Sequence, residues 1–276
     1  MRRLIGAVVL SWVNIGVAVA AQVYVVRFNT LGSPVFAEAP CTYLSYRDEL
    51  VFRNAGTSSA TIRLLGVSNG TAEAPRDLTV ASGQTRSTEG DVAAIAGSWT
   101  PAPQPLLWVA RLDVPDAVQI VSRLLVPTYP TAFCNGGTEA VRRTYGGIRM
   151  PVVRELTPPG VPQVHLATDI GGDAAGVADD GRTNVGVYNA SAIPATATVE
   201  LRRGCDGVLV ASRSAAIPPN TIVQLNGFPF ASQGCSSINA APYETYVVVT
   251  VDQPSLTYAI TLSNQRPPWI PVSSTP

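Results

Sequence analysis

Apolar and polar residues alternate with a period of two over many short stretches of this chain. Leu50 and Phe52 form one such pair of apolar positions, and Ile62 and Leu64 form the next. A strand with one buried face requires this period, because successive side chains point to opposite faces of a sheet. Residues 54–59, which lie between the two pairs, include Asn54, Gly56, Ser58 and Ser59, whose types supply turns. The pattern predicts antiparallel hairpins whose apolar positions face a core.

The same pattern occurs twice along the chain. Residues 47–54 match residues 182–189 at a spacing of 135 residues, with Arg at the start and Asn at the end of both. Three further matches follow in the same order: 60–64 with 197–201 and 80–83 with 217–220, both at a spacing of 137, and 112–115 with 251–254 at a spacing of 139. We interpret the four matches as an internal duplication and the drift as changes of loop length. In the second copy the core positions would be Val185, Val187, Val199 and Leu201, with Thr198 and Glu200 facing water.

Strands with turn signals every 8–12 residues, without a helical stripe, are typical of a β-sandwich. We therefore predict an all-β protein of two antiparallel β-sandwich domains in tandem, over residues 21–146 and 147–264. The join is placed at Gly146-Gly147 because the apolar opening segments 25–30 and 152–157 look equivalent. A Pro-rich tail, 265–276, follows the second domain.

The first 20 residues are typical of a secretory signal peptide. Arg2 and Arg3 precede an apolar run over 4–17, and small residues over 18–20 place the cleavage just before Ala21. An uncleaved anchor is the alternative, although the run falls short of the ~20 residues that span a bilayer. We expect Sec-type export, a soluble mature chain, and a secreted, periplasmic or envelope location.

Charge argues against nucleic acid as a partner. The 19 basic residues, all of them Arg, balance 19 acidic residues and are scattered along the chain. A protein that binds a polyanion normally shows a basic excess on one face.

Four cysteines in an exported chain predict two disulfides, formed by Cys41, Cys134, Cys205 and Cys235. Three pairings are possible. Cys41–Cys134 with Cys205–Cys235 is preferred, because each bridge then lies inside one predicted domain. A zinc site is the rival, but no pair has the C-x-x-C spacing.

The candidate catalytic groups are sparse. His165 is the only histidine, with Asp169 near it in sequence, and no Gly-x-Ser-x-Gly motif accompanies them. A structural histidine in a strand is the simpler interpretation. Paired carboxylates for glycoside cleavage normally lie in an aromatic cleft, and only 7% of the chain is aromatic. We predict that the protein is not an enzyme.

The loop from Asp169 to Gly181 is the best candidate for binding calcium, because Asp173, Asp179 and Asp180 add carboxylates to a Gly-rich segment. Its spacing fits no known calcium motif, so a solvated loop is favoured and we predict no metal or cofactor. Asn69 and Asn189 begin formal glycosylation sequons, and for Asn189 a role in the turn is the better interpretation.

The strand and turn rhythm carries a family resemblance. Residues 182–189, 197–201, the turn from Gly204 to Gly207, and 217–220 resemble immunoglobulin-like domains of secreted bacterial proteins. Those modules are similar to the cell-adhesion-related (CARDB-like) domains that occur in tandem on bacterial surface proteins. The resemblance implies two immunoglobulin-like sandwiches and an adhesive or spacer role, with no ligand specified.

These observations favour a non-catalytic binding or structural module of the adhesion type, whose partner is another extracellular or envelope macromolecule. A subunit of a surface assembly that accepts a strand at a sheet edge is a further interpretation. The alternative is a carbohydrate-binding module or an accessory domain of an extracellular hydrolase. That function would need exposed rings on one platform, drawn from Trp99, Trp108, Tyr129 and Tyr145.

Overall fold

A computed structural model gives the architecture of most of the chain. It describes residues 21–28, 37–38, 42–43, 47–68, 76–87, 107–128, 143–167, 181–225 and 245–263, and the statements below concern these residues. The predicted signal peptide and the Pro-rich tail lie outside them.

The described residues form β-strands joined by turns, with no helix among them. In chain order the strands are β1 (Ala21–Phe28), β2 (Ala37–Glu38), β3 (Thr42–Tyr43), β4 (Arg47–Asn54), β5 (Ala60–Val67), β6 (Arg76–Val80), β7 (Thr85–Ser87), β8 (Leu107–Val114), β9 (Val118–Thr128), β10 (Arg143–Met150), β11 (Val152–Val153), β12 (Gln163–Ala167), β13 (Gly181–Asn189), β14 (Ala195–Arg203), β15 (Leu209–Ile217), β16 (Thr221–Leu225), β17 (Thr245–Val251) and β18 (Ser255–Ser263).

Four antiparallel sheets contain nearly all of these strands. Sheet I has the order β11-β1-β8-β5-β6, and sheet II has the order β10-β9-β4-β7. Sheet III has the order β16-β13-β18, and sheet IV has the order β12-β17-β14-β15. A separate short ladder joins β2 to β3. The all-β sandwich fold predicted from the sequence is confirmed.

Sheets I and II face each other across one apolar core, and together they form the first sandwich. Trp108 is the largest buried side chain of this core. The predicted core positions Leu50, Phe52, Ile62 and Leu64 are all buried in it. Alternation along β4 and β5 therefore identified the inner faces of both sheets.

Sheets III and IV enclose a second core and form the second sandwich. Val185, Val187, Val199 and Leu201 are buried there, as the alternation predicts. The core is lined mainly by Val and Ala, which suit closely packed pleated sheets.

A third apolar layer joins sheet I to sheet III. It contains Val26 and Val109 from sheet I and Leu256 from sheet III, and the ring centroids of Tyr24 and Tyr188 lie 6.1 Å apart. Burial raises the pKa of Tyr188 to about 12, since a phenolate shielded from water is unfavourable. Within the described residues the sheets therefore stack in the order II, I, III, IV, and only sheets II and IV have a face outside the three layers.

The two sandwiches share one strand order. In the first, β1 pairs with β8, β8 with β5 and β5 with β6, while β4 lies between β7 and β9. In the second, β12, β17, β14 and β15 repeat the first series, and β13 lies between β16 and β18. This order differs from that of the immunoglobulin constant domain, whose first two strands share a sheet. Here β1 and β4 lie in different sheets.

The equivalent residues of the two sandwiches differ in part from those inferred from sequence. Ala60 pairs with Val80, and Ala195 pairs with Ile217, so Ala60 corresponds to Ala195 and not to Ala197. The spacing of 135 residues thus extends through the hairpin, and the two-residue change lies farther along. Because the shift is an even number, the predicted buried faces are still the right ones.

The predicted join between domains falls inside a strand. Gly146 and Gly147 lie within β10, at an irregularity in its pairing with β9. Val152 and Val153 then pair with Val25 and Tyr24, so the two opening segments are neighbours in sheet I and not equivalent strands. The strand equivalent to β1 is β12, which pairs with β17 as β1 pairs with β8.

Candidate functional site

The candidate histidine lies on β12, an edge strand of sheet IV. Gln163 and His165 point into the second core and are buried, whereas the side chain of Val164 between them points outward. The strand therefore presents a polar side to the core and an apolar side to the surface, which is the reverse of the usual arrangement.

Two side-chain contacts connect β12 to β18 inside the core. His165 Nε2 lies 2.7 Å from Thr257 Oγ1, and Gln163 Nε2 donates to Ser255 Oγ at 3.4 Å. All four residues are buried. Since buried polar groups need partners, these contacts hold the edge strand to the opposite sheet.

This polar cluster is specific to the second sandwich. Strand pairing places Gln163 and His165 at the positions that Val23 and Val25 occupy in the first sandwich. The positions of Ser255 and Thr257 are filled there by Val118, which is buried in the first core, and by Ile120, which packs against it. The same pair of positions thus makes an apolar contact in the first sandwich and a hydrogen-bonded contact in the second.

The environment of His165 does not suit acid–base catalysis. Desolvation lowers its pKa to about 4, so the imidazole is neutral near pH 7. Its Nδ1 atom has no hydrogen-bond partner among the described residues, and the residue is only 2% exposed. A general base must reach the proton of its substrate, so this pair is best explained as structural. Asp169 lies outside the described residues.

The outer face of sheet IV is the second candidate. It carries Val164 from β12, Val248 and Tyr246 from β17, and Glu200 and Arg202 from β14. The pairings of Val164 with Val248, of Val248 with Glu200 and of Tyr246 with Arg202 set these side chains side by side. Val164 is 46% exposed. The face therefore combines an apolar half with an adjoining charged pair.

Glu200 and Arg202 form the charged part of this face. Nε and Nη2 of Arg202 donate to Glu200 Oε2 at 2.9 and 2.7 Å, and Nη1 donates to the carbonyl oxygen of Gly207 at 2.9 Å. The side chain of Arg202 is 32% exposed and that of Glu200 is 29% exposed. Beyond them, the exposed side chains of Val208 and Leu209 extend the surface. The guanidinium is thus held in a fixed position, with both charges within reach of a partner.

The equivalent face of the first sandwich is a contact surface. The strand pairing makes Val164 equivalent to Tyr24, and Tyr246 equivalent to Val109. Tyr24 and Val109 belong to the layer that joins sheet I to sheet III. The outer face of sheet IV thus keeps apolar side chains at the positions that make an inter-sheet contact in the other copy.

Two further sequence candidates are internal residues. Trp108 is 1% exposed, so it cannot belong to a sugar-binding platform. Asn189 is buried, and its side chain bonds the turn between β13 and β14, which confirms the interpretation as a turn residue over that of a glycan acceptor. Cys205 is disulfide-bonded, but its partner is not among the described residues, so the pairing stays a prediction.

Most of the other candidate residues lie outside the described part of the chain. The loop from Asp169 to Asp180, Asn69, Trp99 and Tyr129 are not among the described residues, and neither are Cys41, Cys134 and Cys235. Tyr145 lies in β10. In the part of the chain that the structure describes, no three His, Cys, Asp or Glu side chains meet in a way that would hold a metal ion. None of the described segments forms a helix long and apolar enough to cross a membrane.

No family model, no curated protein and no solved structure matches this chain. The arrangement of the described residues is therefore interpreted from its own chemistry. Sequence reasoning placed Thr198 and Glu200 on the water-facing side of β14 but did not identify the outer face of sheet IV as a site. The signal was present in 246–249, where apolar residues occupy both faces of the strand.

Proposed function

We propose that this chain is an exported, non-catalytic binding and structural module, which presents the outer face of sheet IV to another macromolecule in the envelope or outside the cell. The observation that carries the proposal is the exposure of Val164 beside Val248 and Tyr246. Apolar side chains that adjoin one another on a surface mark interaction sites more often than isolated ones do.

The stacked sheets support a role as a rigid support for this face. Three apolar layers hold sheets II, I, III and IV together, so the outer face of sheet IV lies at one end of a packed body. A rigid face loses little conformational entropy on binding, which favours affinity. The proposal rests on this geometry and the predicted signal peptide, and not on the family resemblance.

The test is surface binding by the purified protein. Fluorescently labelled protein is incubated with intact cells that export it, and the bound fluorescence is compared for the wild type and the Val164→Asp variant. We expect at least a tenfold loss of binding, because burying one carboxylate against an apolar partner costs more than the ~1.4 kcal/mol that a factor of ten represents.

The matched control is Val121→Asp. Val121 is also a partly exposed valine on the outer face of a sheet, but it belongs to sheet II at the opposite end of the stack. The control should bind as the wild type does. Equal binding by the two variants, or turnover of a defined substrate, would contradict the proposal. Binding to a defined glycan that survives Val164→Asp would instead support the carbohydrate-binding alternative.

A further inference from the structure

The two outward faces of the stack differ in chemistry. On sheet III, Tyr188, Ile222 and Leu256 belong to the layer that binds sheet I. The equivalent positions on sheet II hold Arg53, Thr85 and Gln119, all exposed, beside the apolar Val121, which is equivalent to Tyr258. The three polar residues make sheet II less suited than sheet IV to a second contact of this kind. Sheet IV, by contrast, keeps apolar residues at the contact positions.

A chain that stacked head to tail on another copy would have to join sheet IV of one to sheet II of the next. Because Tyr188 contacts Tyr24 in the existing layer, the equivalent contact would bury the Arg53 guanidinium against Val164, at a cost in desolvation. A contact between two copies of sheet IV avoids this cost, because apolar side chains then meet apolar side chains. The chemistry of the faces therefore favours a symmetric contact.

The charged pair is also self-complementary. Glu200 and Arg202 lie two positions apart on β14 and point to the same side of sheet IV. A two-fold axis that lies between the two facing sheets, at right angles to β14 and midway between these residues, brings Glu200 of one copy opposite Arg202 of the other. The four charges would then alternate in sign, which sets the register of the two sheets.

We propose that the outer face of sheet IV binds the same face of a second copy of this chain, across a two-fold axis that passes between Glu200 and Arg202. This inference rests on the proposed function, since it names the partner of the same face. Val164, Tyr246 and Val248 form the apolar part of the contact on both sides.

The size of the face indicates a weak dimer. Four strands about 4.8 Å apart and roughly seven residues long give a face of about 400 Å². A standard interface buries about 800 Å² per partner, so this smaller contact belongs to the class of weak, transient interfaces. Such a dimer dissociates on dilution, and its size must therefore be measured at several concentrations.

The experiment is sedimentation equilibrium of the purified protein between about 1 μM and about 1 mM, a range that brackets weak interfaces. The wild type should change from monomer to dimer within this range. Val164→Asp should remain monomeric, and Val121→Asp on sheet II should dimerise as the wild type does. Both substitutions replace exposed side chains, so both variants should fold, and circular dichroism checks this.

The charged pair gives a second, independent test. Glu200→Arg chains carry two positive charges on the face and Arg202→Glu chains carry two negative charges, so each alone should be monomeric. An equimolar mixture should form a heterodimer, because the signs are again complementary across the axis. Failure of the mixture to associate, or dimerisation of each single variant alone, would refute the proposed register and axis.

The outcomes separate this inference from the proposed function. A wild type that stays monomeric at all concentrations but binds cells through Val164 overturns the dimer and leaves the binding function in place. A wild type that dimerises but binds no cells supports the dimer and overturns the surface-binding function. Dimerisation that is abolished by Val121→Asp and unaffected by Val164→Asp would overturn the choice of face.

Discussion

At the scale of single residues, two asparagines close the equivalent hairpins of the two sandwiches. Asn54 Nδ2 donates to the carbonyl oxygens of Ser58 at 2.8 Å and Val80 at 2.9 Å. Asn189 Nδ2 donates to those of Ile193 at 2.7 Å and Ile217 at 3.2 Å. In both copies the side-chain oxygen accepts an amide proton two residues ahead. Each asparagine thus connects its own turn to the start of a different one.

Replacement of Asn189 should show the value of this connection. Asn189→Ala removes the amide donor from the carbonyl groups of Ile193 and of buried Ile217, but Ser191 Oγ still donates to Ile193. We expect the free energy of unfolding to fall by about 1 to 3 kcal/mol, which is the cost of one buried polar group left unpaired. Urea unfolding followed by circular dichroism measures the loss.

Asn189→Asp is the informative control, because it keeps the acceptor for the amide of Ser191 but removes both donors. It should destabilise the protein at least as much as Asn189→Ala. If Asn189→Asp were as stable as the wild type, the donor bonds would not be the source of the effect.

His165 should make stability depend on pH. Its imidazole has a pKa near 6.5 in the unfolded chain and about 4 in the folded one, because burial disfavours the charged form. Below pH 6.5 the unfolded state binds a proton that the folded state does not, so stability falls as pH drops from about 6.5 toward about 4. The loss should approach roughly 3 kcal/mol, and it should not grow further below that window.

The first sandwich supplies the control for this prediction. His165→Val with Thr257→Ile recreates the apolar pair Val25 and Ile120 at the equivalent positions. Unfolding midpoints in urea at pH 7.5 and pH 4.5, taken as points above and inside the window, should differ less in this double variant than in the wild type. Equal pH dependence in the two proteins would show that His165 is not the source.

At the scale of the strand pair, Gly186 makes room for the ring of Tyr258. The two residues are directly opposite on β13 and β18. A Cβ atom at Gly186 would lie 1.9 Å from Cε1 of Tyr258, and the ring extends across β13 until its hydroxyl donates to Gln224 Oε1 at 3.3 Å. Glycine is therefore required here by close packing and not by backbone conformation. An aromatic ring laid over a strand glycine is a known way to fill such a gap.

The equivalent pair in the first sandwich is Val51 and Val121. Gly186→Val alone should lower the free energy of unfolding by about 3 kcal/mol, since the buried ring has nowhere to move. Tyr258→Val alone should cost a similar amount through lost packing. The double variant restores the valine pair and removes the clash, so its loss should be clearly smaller than the sum. Strict additivity in the double-mutant cycle would contradict the proposed steric coupling.

Strand pairs also show what the sequence was able to predict. Alternation identified the hairpins and the buried faces of β4, β5, β13 and β14 correctly, because the side-chain period is a property of the strand itself. It misplaced Ala60 against Ala197, since a shift of two residues leaves every side chain on the same face. The turn contacts of Asn189 fix the true alignment, and those depend on residues distant in sequence.

The polar pair of His165 and Thr257 was also beyond prediction from the pattern. The sequence placed His165 in a strand, and the structure confirms that. Its partner is 92 residues away on a strand of the opposite sheet, however, so only the packing of sheets III and IV brings the two together. No local period encodes a contact between sheets.

At the scale of the whole molecule, the decisive feature is that sheets I and III are buried on both faces. The sequence held a sign of this, because 23–26 and 107–110 are continuous apolar runs where a strand with one wet face would alternate. The prediction of two tandem domains did not take this sign into account. The residues that break alternation, among them Val26 and Val109, form the layer between the sandwiches.

This layer should couple the unfolding of the two sandwiches. Because it adds a third buried core between them, the wild type should show one calorimetric transition, as cooperative units that share a large apolar contact do. Ile222→Asp places a carboxylate in the layer from the edge strand β16, where Ile222 is buried. The cost of burying that charge, several kcal/mol, should weaken the contact and separate the transition into two.

Val121→Asp, at an exposed site on sheet II, should leave a single transition. Two transitions in the wild type would show that the layer does not couple the sandwiches, whereas one shifted transition in Ile222→Asp would show that the charge destabilises both without separating them.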